Sequence, residues 1–173
     1  MALNPQVIGK EMPHGFAGCY ARQPDMIVNT RPAGGADQIL FGSPLKYDEN
    51  KNVVLMGASS AATDFVGVAG FEIKSALTYL GPAGGQYAPK EPVSVFMRGS
   101  INVKCYNGTP ALGGPVYVRV AANESLPNAP IGGFEAVADS TSSNTVLLTN
   151  CEWGGPADAN GVAELIILTR SNA

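Results

Sequence analysis

The sequence predicts an all-β fold, either a β-sandwich or a jelly-roll or barrel-like domain of about nine or ten short strands, with an extended N-terminal arm. Strand-like apolar runs recur at spacings of about 10 to 15 residues, and no segment forms a convincing amphipathic helix. The 21 glycines and 13 prolines supply turns between these runs. A chain of 173 residues with 45% apolar residues can bury one core without a disulfide or a metal.

Residues 1–38 form the predicted arm. They are rich in proline and glycine, and their one strand-like run is "MIVNT" at residues 26–30. A segment with so few apolar residues becomes ordered only along its own domain or along a partner. We therefore divide the chain into an arm, residues 1–38, and a single β domain, residues 39–173.

The β domain begins with a predicted hairpin over residues 38–56, in which "QILFGSPLKY" and "VVLMG" flank the polar turn "DENKN". The following segment, residues 64–80, is ambiguous, because "FEIKSALTYL" fits both a helix and an alternating strand. Its period of two from Phe71 to Tyr79 favours a strand.

The clearest element is the alternating run from Val93 to Tyr106, which ends at an Asn-Gly pair that favours a tight turn. One side of this strand is apolar and predicts a core face. The other side carries Phe96, Arg98 and Tyr106, where small polar residues would satisfy a solvated surface. We predict that this second face meets a partner; the alternative is that another sheet or the arm covers Phe96.

Four more strands are predicted from the runs "VYVRVA", "IGGFEAVA", "TVLLTNCEW" and "VAELIILTR". In the last run, Leu165 and Ile167 point to one side, and Ile166 and Leu168 point to the other. Apolar residues on both faces indicate a strand in the middle of a sandwich or a closed barrel.

Residue types that commonly carry catalysis are sparse. The one histidine, His14, lies in the arm, which is a poor platform for a general base. The carboxylates are spread singly, and "DANG" at residues 158–161 resembles the start of a calcium loop without its later ligands, so a tight turn explains it better. We predict no enzymatic activity, no cofactor and no metal site.

Net charge, apolar segments and cysteine content indicate the possible partners and the cellular compartment. The net charge is −3 and the basic residues are scattered, which argues against nucleic acid. We find neither a secretory signal nor an apolar segment of about 20 residues that could cross a membrane. Three widely spaced cysteines do not describe a disulfide framework, so we expect them to be reduced and mostly buried. These features predict a soluble protein synthesised in a cytoplasm.

Several segments together resemble the phage head cement, or capsid decoration, proteins. They are "GFAGCYARQPDMIVNTRPA" in the arm, then "DFVGVAGFEIKSA", "YAPKEPVSVFMRGSINVK", "GTPALGGPVYVRVA" and the closing "GVAELIIL". The resemblance covers most of residues 12–170 and departs from the family at apparent loop insertions such as "LGPAGGQ" and "TSSN". It implies a β-rich protein on the outer surface of the virion, made in the host cytoplasm. Such a protein binds the assembled major capsid protein and clamps neighbouring subunits as a homo-oligomer, a dimer or a trimer.

Aromatic and arginine side chains are typical anchors of protein interfaces, so they are our candidates for such contacts. The only tryptophan, Trp153, fits either the core or an exposed contact. The candidate partner-binding residues are Phe16, Tyr20, Arg22, Arg31, Phe96, Arg98, Tyr106 and Trp153.

Two other functions remain open from the sequence. A carbohydrate-binding or adhesin-like module on a virion or cell surface would favour several Trp or Tyr residues on one platform, whereas this chain has one Trp and dispersed Tyr. A glycan-degrading enzyme would need one carboxylate pair, which no pattern in the sequence indicates.

Overall fold

A computed structural model of the chain describes residues 13–71 and 85–169, and the fold in this part is all-β, as predicted. Two short 3-10 helices occur at Ala62–Asp64 and Ser142–Asn144. The strands are β1 (Tyr20–Pro32), β2 (Ile39–Leu40), β3 (Pro44–Tyr47), β4 (Val53–Leu55), β5 (Gly67–Ala69), β6 (Gln86–Tyr87), β7 (Pro92–Asn107), β8 (Pro115–Arg119), β9 (Phe134–Glu135), β10 (Thr145–Trp153) and β11 (Val162–Ile167).

A closed barrel forms one half of the fold. Strand β7 pairs with β9, β9 with β8, β8 with β10, and β10 with β11, which returns to pair with β7. Only the β7–β9 pairing in this ring is parallel. These strands bury an apolar cluster that includes Ile101, Val118, Trp153 and Leu165. Closure leaves this sheet without free edges in the ring.

The other half is built on the first part of β7. Strand β1 pairs with one edge of β7 and β5 with the other, and the sheet continues through β3 to β4. Just after β1, Ala33 makes a parallel bridge to Val53 of β4, which brings the two ends of this half together. A second apolar cluster, which includes Leu45, Tyr87 and Val95, fills it. The 16 residues of β7 therefore belong to both halves.

The predicted hairpin is present as β3 and β4, which pair with Lys46 opposite Val54. Its turn is fixed by Asp48, whose carboxylate accepts hydrogen bonds from the backbone amides of Asn50 and Asn52. The first part of the predicted hairpin instead forms β2, which pairs with β6. Strand β6 lies in a segment rich in glycine and proline, yet its Tyr87 is buried and donates a 2.7 Å hydrogen bond to the Gly70 carbonyl.

The region predicted as a strand over residues 64–80 is only partly described. Its beginning contains the end of a 3-10 helix and strand β5, and residues 72–84 lie outside the described part of the chain. The prediction of strand over helix at residues 71–80 therefore falls almost entirely outside the described residues.

The strand predicted in the arm, residues 26–30, lies within the longer strand β1. Strand β1 pairs with β7 of its own domain and contains a bulge of several residues. Arg22 is opposite Ser100 and Ile27 is opposite Arg98, so residues 23–26 of β1 face the single residue Gly99. Gly99 has a φ of +106°, and a Cβ there would lie 2.2 Å from the Asp25 carbonyl oxygen. Glycine is therefore required where the bulge crosses β7.

The three cysteines are free, as predicted. Cys151 is buried, while Cys19 and Cys105 are partly buried. Burial raises the pKa of the Cys151 thiol to about 12. This thiol therefore behaves as a small apolar group of the core.

A charged network lies buried at the end of β8. Arg119 donates from Nε and Nη2 to the two carboxylate oxygens of Glu135, the Nη2 bond being 3.0 Å long. Its Nη1 donates to Asp139 Oδ2 at 2.8 Å, and all three side chains are inaccessible to solvent. Asn107 and Asn123 donate further hydrogen bonds to the two carboxylates. Burial of these charges is tolerated because each carboxylate has several donors.

This network predicts a loss of stability in acid. Hydrogen bonds from Asn123 and the Thr141 amide, together with Arg119, hold the pKa of Asp139 well below its usual range. A lowered pKa means that Asp139 stabilises the fold above its unfolded pKa of about 3.9, and that this stability is lost as the pH falls towards the folded pKa. We expect the urea midpoint to decrease below about pH 4, and Asp139→Asn to flatten that decrease.

The measurement is a series of urea midpoints from neutral to strongly acidic pH. Asp37→Asn is the matched control, because Asp37 is exposed. Equal acid sensitivity of the wild type and Asp139→Asn would contradict the assignment to Asp139.

Candidate functional site

The segment before β1 is fastened to the β domain at both ends. The His14 amide donates to Asp158 Oδ2 at 3.0 Å, and the His14 carbonyl accepts from Asn102 Nδ2 at 2.6 Å. A few residues later, the Gly18 amide donates to the Asn102 carbonyl at 2.7 Å. Residues 14–18 are therefore held as a short loop against β7 and the β10–β11 connection.

Phe16 is at the exposed tip of this loop, with 74% of its surface accessible. The loop comes close to the β domain at Gly18, where a Cβ would lie 2.8 Å from the Phe71 amide nitrogen. Phe71 donates that amide to the Gly18 carbonyl. Ala17, Leu40 and Ile131 line one shallow groove of about 150 Å³. We call Phe16, Leu40, Phe71 and Ile131, all exposed, the apolar patch.

Beside the loop, Arg22 covers a buried carboxylate. Arg22 Nη2 donates to Glu164 Oε2 at 3.0 Å, and Arg22 Nε lies 2.7 Å from Oε1, which is an ion-pair distance without hydrogen-bond geometry. Glu164 is buried on β11 opposite Asn102 of β7, while most of Arg22 is exposed. A Cβ on Gly154 would lie 2.6 Å from Glu164 Cδ, so glycine leaves the room that this carboxylate needs.

A cleft of about 680 Å³ lies next to this ion pair and is lined by His14, Arg22, Asp158 and Glu164 among others. Burial disfavours the charged form of Asp158, but amide donors from Val162, His14 and Asn160 outweigh it and lower the pKa of Asp158. The Asn160 and Val162 amides, which donate to Asp158 Oδ1, make residues 158–161 a tight turn, as the sequence predicts.

On the other side of Arg22 is a groove of about 350 Å³ along the β1 bulge. Arg98 Nη2 contacts Asp25 Oδ2 at 3.2 Å here, and the exposed Leu168 forms part of the wall. Together the apolar patch, the cleft and this groove make a mixed apolar and charged surface around residues 14–25, which we call the N-terminal face.

The structure brings four of the predicted residues to this face. Phe16, Tyr20, Arg22 and Arg98 are all exposed there. Of two further predicted residues, Arg31 lies elsewhere on the surface, whereas Tyr106 lines the groove of about 150 Å³ beside the apolar patch. Arg31 is exposed and lies 5.8 Å above the Tyr47 ring, and the partly buried Tyr106 lies under Lys104 Nζ at 5.2 Å.

Two predicted contact residues are core residues instead. Phe96 is 2% exposed and belongs to the barrel cluster, and the ring of Tyr20 of β1 lies against its ring with the centroids 5.1 Å apart. The alternative that the arm covers Phe96 is therefore correct. Trp153 is 0% exposed within the barrel cluster, so its prediction as a contact residue is wrong.

The sequence reading missed the role of four residues in this surface. Leu40, Phe71 and Ile131 are isolated in predicted strands or loops, and only the fold brings them beside Ala17 and Gly18, the neighbours of Phe16 in the chain. Glu164 interrupts the apolar run "VAELII", and a carboxylate at such a position is a sequence signal for a charged partner.

Within residues 13–71 and 85–169, no group of three or more His, Cys, Asp or Glu residues could hold a metal ion. The same ranges contain no helix with the length and apolarity needed to span a bilayer.

Comparisons with known proteins agree with one another. A family model described as "Structural cement protein (E217 gp24/Pam3 gp6)" matches residues 4–168. A chain of the solved structure "The capsid of Myoviridae Phage XM1" shares the fold at a TM-score of 0.67, with 18% identity and 98% of each chain covered. The comparison with curated proteins found no match.

Proposed function

Since this chain belongs to the family of phage structural cement proteins, we propose that it binds the outer surface of an assembled phage head and clamps neighbouring subunits of the major capsid protein. Its role is that of a structural capsid protein of the virion. We further propose that it acts as a homo-oligomer. The family match over residues 4–168 carries this proposal.

The N-terminal face supplies a surface suited to this role. The apolar patch provides area that a partner can desolvate, and Arg22, Arg98 and Asp25 provide a charged rim. Phe16 is held in place before binding, because hydrogen bonds fix the loop on both sides of it. A fixed anchor loses little conformational freedom when it binds, which favours affinity.

A cement protein also gains from having several contacts at once. When one molecule or oligomer contacts more than one subunit, the second contact forms at a high effective concentration, so individually weak contacts suffice. This is the physical reason for expecting a homo-oligomer on the shell.

The carbohydrate-binding alternative has less support. Its best stacking candidate, Trp153, is buried in the core. Tyr106 is partly buried and covered by Lys104. We therefore retain carbohydrate binding only as an alternative outcome of the shell-binding test described next.

The test is co-sedimentation of the purified protein with phage shells that lack it, with the copy number determined by quantitative mass spectrometry. Saturable binding in a fixed ratio to the major capsid protein is the expected result. Absence of binding to mature shells would overturn the proposal, and a glycan array would follow.

Phe16→Ser is expected to weaken shell binding by roughly tenfold or more without unfolding the domain, since central aromatic anchors often contribute about 2 kcal/mol or more. The measurement is the concentration needed for half-saturation of shells. Leu112→Ser is the matched control, because Leu112 is 78% exposed and lies outside the apolar patch. Equal binding by both variants would remove Phe16 from the interface.

A further inference from the structure

Two buried side-chain oxygens lack a hydrogen-bond donor in the described part of the chain, and they belong to facing residues. They are Glu164 Oε1 and Asn102 Oδ1. Glu164 of β11 is directly opposite Asn102 of β7, so both side chains leave the same face of the sheet. Their chain neighbours Ala163 and Ile101 belong to the barrel cluster, so this shared face is the outside of the barrel.

Glu164 has fewer donors than the other buried carboxylates of the described residues. Glu135 and Asp139 each accept hydrogen bonds on both carboxylate oxygens. Glu164 accepts from Arg22 Nη2 on Oε2, while its Oε1 has only the ion-pair contact with Arg22 Nε. A buried carboxylate is normally satisfied on both oxygens, so Oε1 lacks a donor that a bound group can supply.

The same carboxylate lines the cleft of about 680 Å³. Asp158 and Glu164 contribute two carboxylates to the wall of this cleft and Arg22 contributes one guanidinium, so these charges sum to a negative value. Arg22 lies over Oε1, but its side chain is 70% exposed and can turn aside to admit a second group. The cleft therefore leads to a buried acceptor and favours a positively charged occupant.

The acceptors that remain select a cation that donates hydrogen bonds. Asp158 already accepts from backbone amides on both of its oxygens. A calcium ion, which takes about six or more oxygen ligands, would therefore find too few free oxygens in this cleft. An ammonium or guanidinium group carries several N–H donors on one charge, and these match the Glu164 and Asn102 oxygens.

We propose that the cleft receives a lysine or arginine side chain of the major capsid protein, whose charged end donates to Glu164 Oε1 and Asn102 Oδ1. The source of this side chain rests on the proposed function, whereas cation binding by the cleft is tested without shells. The shell is the source because the cleft is part of the N-terminal face, and His14 in its wall belongs to the loop that carries Phe16.

Titration of the isolated protein tests the cleft. n-Butylammonium and n-propylguanidinium reproduce the side chains of lysine and arginine, and butyltrimethylammonium has the same charge without an N–H donor. We expect the NMR signals of the Glu164 carboxyl carbon and the Asn102 side-chain amide to shift saturably with at least one of the first two. Half-saturation is expected on the order of 10 mM for such small ligands. No saturable shift, or an equal shift with butyltrimethylammonium, would overturn the site.

Three variants identify the groups that hold the cation. Glu164→Gln should abolish the shift of the Asn102 amide, whereas Glu124→Gln should retain it, because Glu124 is exposed on the loop after β8 and does not line the cleft. Arg22→Gln should lower the half-saturation concentration roughly threefold, because the ligand no longer competes with Arg22 for the carboxylate. Weaker binding by Arg22→Gln than by the wild type would contradict direct contact with Glu164.

Shell binding tests the source of the cation. Glu164→Gln should raise the concentration for half-saturation of shells roughly tenfold, and Glu124→Gln should leave it unchanged. n-Butylammonium should displace the unmodified protein from shells better than butyltrimethylammonium at the same ionic strength, which repeats the test without a substitution.

The outcomes on shells separate this proposal from the proposed function. If the wild type binds shells, while Glu164→Gln binds equally well and n-butylammonium does not compete, the capsid side chain is not the occupant and the proposed function stands. A wild type that does not bind shells overturns both the proposed function and the capsid source. The titration then still decides whether the cleft binds a cation.

Discussion

Arg119→Met is expected to destabilise the domain by about 3–5 kcal/mol, because it leaves two buried carboxylates without their shared positive charge. Glu135 and Asp139 both depend on the Arg119 guanidinium, and none of the three side chains reaches solvent. Methionine retains much of the volume of the arginine side chain, so the loss of stability reports mainly the loss of the charge and little change in packing. The free energy of unfolding by urea is the measurement.

Arg98→Met provides the comparison for that result. Arg98 pairs with Asp25 at 3.2 Å on the surface, where an ion pair contributes about 1 kcal/mol or less. A loss at Arg119 as small as the loss at Arg98 would show that water reaches the network in solution.

Gly99→Ala is expected to cost about 3 kcal/mol, because alanine is strained at this positive φ and its Cβ overlaps the β1 bulge. The new carbon would lie 2.2 Å from the Asp25 carbonyl oxygen and 2.9 Å from Met26 Cα. These are backbone atoms, so relief requires movement of β1 away from β7. We expect a lower urea midpoint and faster amide exchange in β1.

Gly155→Ala is the control for the glycine substitution, since a Cβ there meets no heavy atom within 4 Å. It should change stability by well under 1 kcal/mol. A Gly99→Ala variant as stable as Gly155→Ala would contradict the tight crossing of β1 over β7.

Alternation in the sequence predicts the long strand β7 and its apolar face well. Val93, Val95, Ile101 and Val103 are all buried, because a period of two identifies a face without knowledge of its neighbours. The same pattern does not identify what covers the second face. Phe96 was misassigned for this reason, since its cover, Tyr20, lies more than 70 residues earlier in the chain.

Long-range pairing also limits how well the other elements can be predicted from the sequence. Pro24 and the polar residues around it leave most of β1 without an alternating apolar pattern. This strand is ordered by its ladder with β7. Arg119 occupies the polar position of the alternating run "VYVRVA", yet it is buried because Glu135 and Asp139 arrive from later segments. The N-terminal face could be predicted through Phe16, Tyr20, Arg22 and Arg98, but not its apolar neighbours from distant loops.

The sharing of β7 by both halves has a mechanical consequence. Its two edges are occupied along most of its length, by β1 and β5 in the first part and by β11 and β9 further along. A pull between the half built on the first part of β7 and the barrel runs along this strand and loads its cross-strand hydrogen bonds in shear. Bonds loaded in this way resist together, whereas a strand peeled from one end loses them singly. The strand therefore carries tension between the two halves of the molecule.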